Sequence, residues 1–129
     1  MITKGIGKMS TRANILIQEL GRTIWMYHHW DGYPMYLGGH IMKLLVEKAG
    51  KYTDATGIAN IMLHDKDDDG FELTTGRHGD IEYLYHINAD TKEITCYKTP
   101  YNEMDKPLEK QHWDDQEQVE KWFKFCEDN

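Results

Sequence analysis

At 129 residues the chain has the length of one domain, since a single hydrophobic core serves roughly 100–200 residues, and two large domains are excluded. Its 40% hydrophobic and 12% aromatic content is enough to bury a core, which excludes wholesale disorder. Fifteen basic against 22 acidic residues give a net charge of −7, which disfavours nonspecific attraction to nucleic-acid phosphates or an anionic membrane.

Residues 1–8 carry Lys4, Gly5, Gly7 and Lys8 but little to bury. They read as a flexible extension ahead of a second methionine, Met9. Ala13 to Leu20 and Thr23 to His29 alternate apolar and polar positions and flank Gly21-Arg22, predicting a β-hairpin. Pro34 suits a first helical turn. Leu37, Ile41, Leu44 and Leu45 then follow helical spacing as far as Gly50. Thr53 is the expected N-cap of a second helix, striped by Ala55, Ile58, Ala59, Met62 and Leu63.

An acidic turn, Asp65 to Gly70, precedes a short strand over Phe71 to Thr75, and Gly76-Arg77-His78-Gly79 is a loop. Asp80 to Ile87 and Glu93 to Lys98 read as two further strands joined by a turn at Asn88–Lys92. Asp114 or Asp115 caps an expected final helix carrying Val119, Trp122, Phe123 and Cys126. The order ββααβββα predicts an α+β domain, an antiparallel sheet of about five strands with helices on one face. No stretch is long and apolar enough to span a membrane, so the cytoplasm is the expected location. Cys96 and Cys126 lack metal or redox spacing and read as buried thiols.

Three constellations bear on chemistry. The run from Tyr27 through Trp30-Asp31-Gly32-Tyr33-Pro34 to Gly38-Gly39-His40 occupies a strand-to-helix junction, where free backbone N–H groups favour an anion and Trp30, Tyr33 and Tyr36 can stack a planar base. Its bland alternative is ordinary capping and turn chemistry. Asp65-Lys66-Asp67-Asp68-Asp69-Gly70 matches the first half of a calcium loop, with ligands expected at Asp65, Asp67 and Asp69, but Gly76 stands where a bidentate Glu belongs. Calcium at Asp65–Gly70 competes there with a solvated acidic turn, and no other cofactor is indicated. Finally, His29, Asp31, His78, Asp80 and Glu82 suit a hard cation or acid–base work only if folding gathers them, because no metal-ligand spacing such as HExxH is present. Asp80, Glu82, Leu84 and His86 would line one strand face. No nucleophile elbow, P-loop or catalytic Cys–His signature is present.

Met9-Ser10-Thr11-Arg12-Ala13-Asn14-Ile15, Tyr27 to Pro34 with Leu37-Gly38, and Gly79 to Tyr85 together resemble a family of short bacteriophage and prophage proteins with the patterns STRA-x-I, Y-x-H-x-DGYP and DIEY-x-Y. The resemblance spans roughly residues 9–98 and implies that residues 99–129 are a variable element. Five of the seven net negative charges lie in 102–129, outside the family-like part. The positions carried over are Arg12, His29, Asp31, Gly32, Tyr33, Pro34, Gly38, Asp80, Glu82, Tyr83 and Tyr85.

Three functions follow as expectations. The first is a non-enzymatic phage-type accessory protein binding a host protein or a nucleotide-like ligand, and so antagonising a host process such as defence. Its binding residues are Arg12, His29, Trp30, Asp31, Tyr33, Gly38, His40 and Tyr85. The second is a metal-dependent phosphoester hydrolase using His29, Asp31, Asp80 and Glu82. The third is an oligomeric structural component with Trp25, Trp30 and Tyr97 at a subunit interface.

Overall fold

A computed structural model describes residues 10–98, 117–122 and 125; the expected extension over 1–8 lies outside them. The fold is α+β. Strands β1 (Ala13–Glu19) and β2 (Arg22–His28) form the hairpin, followed by a π-helical turn at Pro34–Gly38, α1 (Gly39–Lys48) and α2 (Ala55–Leu63). Strands β3 (Phe71–Thr74), β4 (Tyr83–Asn88), β5 (Glu93–Lys98) and β6 (Glu117–Trp122) complete one six-stranded sheet in the order β3-β2-β1-β4-β5-β6.

The sheet is mixed rather than wholly antiparallel. β1 and β4 pair in parallel from Ala13↔Tyr83 to Gln18↔Asn88, while every other neighbouring pair is antiparallel. The helices and β3 lie between β1 and β4 in the chain and serve as the long crossover that a parallel pair requires.

The final element also departs from the sequence expectation. Residues 117–122 form a strand on the edge of β5, with Thr95 opposite Lys121 and Ile94 opposite Trp122, where a helix through Val119 and Trp122 was expected. The open edge of β5 offers backbone partners that override a local helical pattern. The expected cap at Asp114 or Asp115, together with Phe123 and Cys126, falls outside the described residues. Phe125 is buried in the core, and its backbone N–H donates to Lys92 O at 2.9 Å.

Period-two alternation divides β1 between two cores. Ala13, Ile15 and Ile17 join Met26, Tyr85, Ile87, Ile94 and Cys96 beneath Ile41, Leu44, Leu45, Ile58 and Met62 of the helices. Leu16, Tyr27, Ile81 and Leu84 form a smaller cluster on the opposite face, with Trp25 and Tyr97 packed against it. Both helices therefore sit on one face, and each fully buried Ile or Leu contributes about 1.5–3 kcal/mol.

Local chemistry sets the boundaries. Asp54, one residue later than expected, caps α2 by accepting from Gly57 N at 2.8 Å. Thr53 instead accepts from Gly50 N through Oγ1 at 2.7 Å. A Cβ on Gly57 would stand 2.8 Å from Thr53 Cγ2, which explains a glycine inside this helix. β4 begins at Tyr83, so Asp80 and Glu82 precede it. The polar face expected over Asp80, Glu82, Leu84 and His86 therefore does not form, and Leu84 is fully buried.

Candidate functional site at the end of the sheet

The C-terminal end of β2 and the N-terminal ends of β1, β3 and β4 meet at one end of the sheet. Here the DGYP run has a structural account. Asp31 takes a left-handed φ of 51°, a conformation Asp tolerates better than most residues. Gly32 then passes so close to β1 that a Cβ would lie 2.9 Å from Ala13 Cβ and 3.0 Å from Thr11 O. Gly32 N donates to Thr11 O at 2.9 Å, and Tyr85 Oη donates to Gly32 O at 2.6 Å. Pro34 opens the π-helical turn, where its missing N–H costs nothing.

On the helix face, β2 delivers His28 fully buried. Its Nε2–H donates to both oxygens of Asp68, each at 2.9 Å. The same carboxylate accepts from Tyr36 Oη at 2.8 Å and Gly70 N at 2.8 Å. Burial works to raise the Asp68 pKa, but His28, Gly70 and Tyr36 outweigh it and hold the carboxyl well below the ordinary range. Tyr36 is pushed up by burial and by its bond to Asp68. Beside this pair, His40 Nε2 lies 2.5 Å from Asp65 Oδ2, and Asp65 Oδ1 accepts from Asp67 N at 3.1 Å.

The acidic loop is therefore arranged differently from a calcium loop. Asp68 and Asp65 turn inward to histidines, while Asp67 and Asp69 are exposed. Among the described residues, no three His, Cys, Asp or Glu side chains are grouped to hold a metal ion.

On the opposite face, Tyr27 stacks on His78 with centroids 3.9 Å apart and an interplanar angle of 16°. Arg12 Nε lies 3.3 Å from Asp80 Oδ2, to which Tyr27 Oη donates at 3.4 Å. Burial and the Asp80 charge push the Tyr27 hydroxyl up to about 12. His29 Nε2 is 3.2 Å from Glu72 Oε2, and His78 Nε2 is 2.8 Å from Thr74 Oγ1. Asn14, fully buried, locks the arrangement: its Nδ2 donates to Met26 O at 2.7 Å and its Oδ1 accepts from His78 N at 2.7 Å. An open depression of about 400 Å³ lies alongside, lined by Thr74 to Asp80.

The two clusters are continuous. Tyr36, His40, Phe71, His28, Trp30, His29, Tyr27 and His78 form an unbroken chain of ring contacts that passes around the end of β2 from one sheet face to the other.

Of the residues expected from sequence, Arg12, His29 and Asp80 converge on the outer face and Trp30 stacks beside His29. His40 belongs to the helix-face cluster. Asp31 acts electrostatically on Tyr33 and Tyr36, in each case adding to burial to raise the hydroxyl pKa. Glu82 enters through its backbone N–H, which donates to Arg12 O at 2.8 Å. Thus His29, Asp31, Asp80 and Glu82 are not gathered into one acid–base or metal constellation. Gly38 and Tyr85 are buried, and Tyr85 is a core tie rather than a surface group.

Sequence reasoning assigned no binding role to Tyr27, Asp68, Thr74 or Arg77. The strand alternation of Tyr27 with His29 was the available signal for Tyr27; a run of four carboxylates in five residues gave none for Asp68. No family model, curated protein or solved structure matches the chain. No described helix is long and apolar enough to cross a membrane.

Proposed function

We propose that the protein is a non-enzymatic accessory protein of the phage type, which binds a nucleotide-like ligand at this end of the sheet and so withholds it from a host process such as defence. The observation that carries this reading is the outer-face cluster. Arg12, Tyr27, His29 and His78 offer cationic or ring surfaces beside an open depression whose size lies in the range of small-ligand sites. The dispersal of His29, Asp31, Asp80 and Glu82 favours binding over hydrolysis. The phage association rests on the three sequence patterns.

Titration with a panel of fluorescent nucleotides and dinucleotides, followed by mass analysis of the recovered ligand, tests it. The expected result is saturable binding that weakens in Arg12→Ala and His29→Ala, with the ligand recovered intact. An absence of binding across the panel, or a chemically altered ligand, overturns it. Recovery of a host protein in pull-down with no nucleotide affinity would move the assignment to the host-protein form of the same role.

A further inference from the structure

His78 is the last ring of the chain that passes around the end of β2, and it is the ring that lines the open depression of about 400 Å³. One face of its imidazole lies on Tyr27, with centroids 3.9 Å apart and an interplanar angle of 16°. Tyr27 is the inner member of this stack, only 3% exposed, whereas 31% of the His78 side chain stays accessible. Among the described residues no ring packs on the other face of His78.

The plane of the imidazole is fixed from its edges and from its backbone. Nε2 lies 2.8 Å from Thr74 Oγ1, and Nδ1 is turned toward Asp80. The His78 N–H donates to Oδ1 of the fully buried Asn14 at 2.7 Å, which ties the middle of the loop to the sheet. A ring held in this way offers a ligand a flat π-surface whose orientation is set before binding, and groups fixed in advance lose little entropy when a ligand arrives.

Nucleic-acid bases stack on such rings, imidazole included, because every base has a π-face to present. A base laid on His78 would extend the Tyr27–His78 stack by one layer. At the rim, Asp80 Oδ1 lies 4.0 Å from His78 Nδ1, beyond hydrogen-bond distance, and so keeps acceptor capacity. An acceptor there suits N–H groups on the edge of a base and opposes a phosphate set against it.

We propose that His78 is the base-stacking platform of the site: the outer face of its imidazole, backed by Tyr27, receives the planar aromatic ring of the nucleotide-like ligand, and recognition runs through the base rather than the phosphate. The proposal rests on the binding reading above and names the part of the ligand that the site reads.

The test uses the full chain and three probes, each titrated by calorimetry and by proton NMR: adenosine, adenosine 5′-monophosphate and ribose 5-phosphate, which carries sugar and phosphate without a base. Stacking tolerates any base, so adenine serves. Adenosine and the monophosphate are expected to bind with comparable affinity, and ribose 5-phosphate at least about tenfold more weakly, the scale of one base–aromatic stack. The ring current of the stacked base should move the His78 Cδ2–H and Cε1–H resonances upfield in the wild-type protein, a readout that needs no substitution. His78→Phe keeps a flat ring and should retain adenosine binding, whereas His78→Leu keeps bulk without a π-face and should lose about tenfold.

Ribose 5-phosphate binding as tightly as the monophosphate, adenosine binding that leaves the His78 ring protons unmoved, or equal binding by the two His78 variants would overturn the platform while leaving ligand binding intact. Adenosine bound with the upfield shift while the monophosphate is rejected would sustain the platform and remove the nucleotide-like reading. Failure of all three probes to bind overturns both.

Discussion

Asp68→Ala removes one carboxylate on which three donors converge. Two of them are buried: His28 Nε2–H at 2.9 Å and Gly70 N–H at 2.8 Å. The third, Tyr36 Oη, belongs to a residue with 37% exposure and can turn to water at small cost. Each stranded buried donor costs about 1–3 kcal/mol, giving about 2–6 kcal/mol for the pair. The expected loss is therefore about 2–6 kcal/mol, on the order of 10–20 °C in Tm, with an unchanged urea m-value if the denatured state is unaffected.

The pH dependence supplies a sign. The folded-state pKa of Asp68 is depressed, so its contribution is complete above the unfolded carboxylate value of about 3.9 and is lost as pH falls toward the lower folded value. Asp68→Asn is neutral at every pH. The stability difference between wild type and Asp68→Asn should shrink as pH falls below about 4. Urea unfolding followed by far-UV circular dichroism across this range measures both quantities. A loss below about 1 kcal/mol for Asp68→Ala, within reach of an ordinary surface substitution, or a difference that grows as pH falls below about 4, would refute the account of Asp68 as the buried anchor of this end.

Two further substitutions probe how the site is built. Tyr85→Phe deletes the 2.6 Å bond to Gly32 O and leaves a buried carbonyl with one partner fewer; thermal unfolding should register about 1–2 kcal/mol of destabilisation with the fold retained. Gly32→Ala forces a methyl to 2.9 Å from Ala13 Cβ, and overpacking of this kind costs about 1–3 kcal/mol. If chemical denaturation finds Gly32→Ala as stable as wild type, the close approach of the DGYP turn to β1 is wrong.

The elements that were legible in the sequence are those whose patterns answer to local physics. Glu93–Lys98 alternates between turns and forms β5 over those residues, and the Ile41, Leu44, Leu45 spacing becomes the buried stripe of α1. Asp80 shows the limit. It continues the alternation of Ile81, Tyr83 and Tyr85, yet β4 starts only where β1 supplies a parallel partner at Ala13↔Tyr83, leaving Asp80 in a turn beside Arg12.

Residues 117–122 show it again, because a strand on the edge of β5 is decided by a distant partner. The same holds for the site. Arg12, His29 and Asp80 stood out in the sequence, whereas the choice of Asp68 over Asp67 or Asp69 as the inward carboxylate depends on where β2 places His28. Both histidines of the His28-His29 pair are engaged, one on each face, as strand alternation requires.

The ring chain gives the molecule an optical property. Trp30 lies between two imidazoles, with centroids 6.0 Å from His28 and 5.8 Å from His29, and indole emission responds to the rings packed against it. Trp30 fluorescence, isolated by difference from Trp30→Phe, thus reports on packing at both faces of the sheet end. Through the next link, Tyr27 and then His78, it also lies within three ring contacts of the Thr74–Asp80 depression, so binding of the proposed ligand there can be tested without attaching a dye.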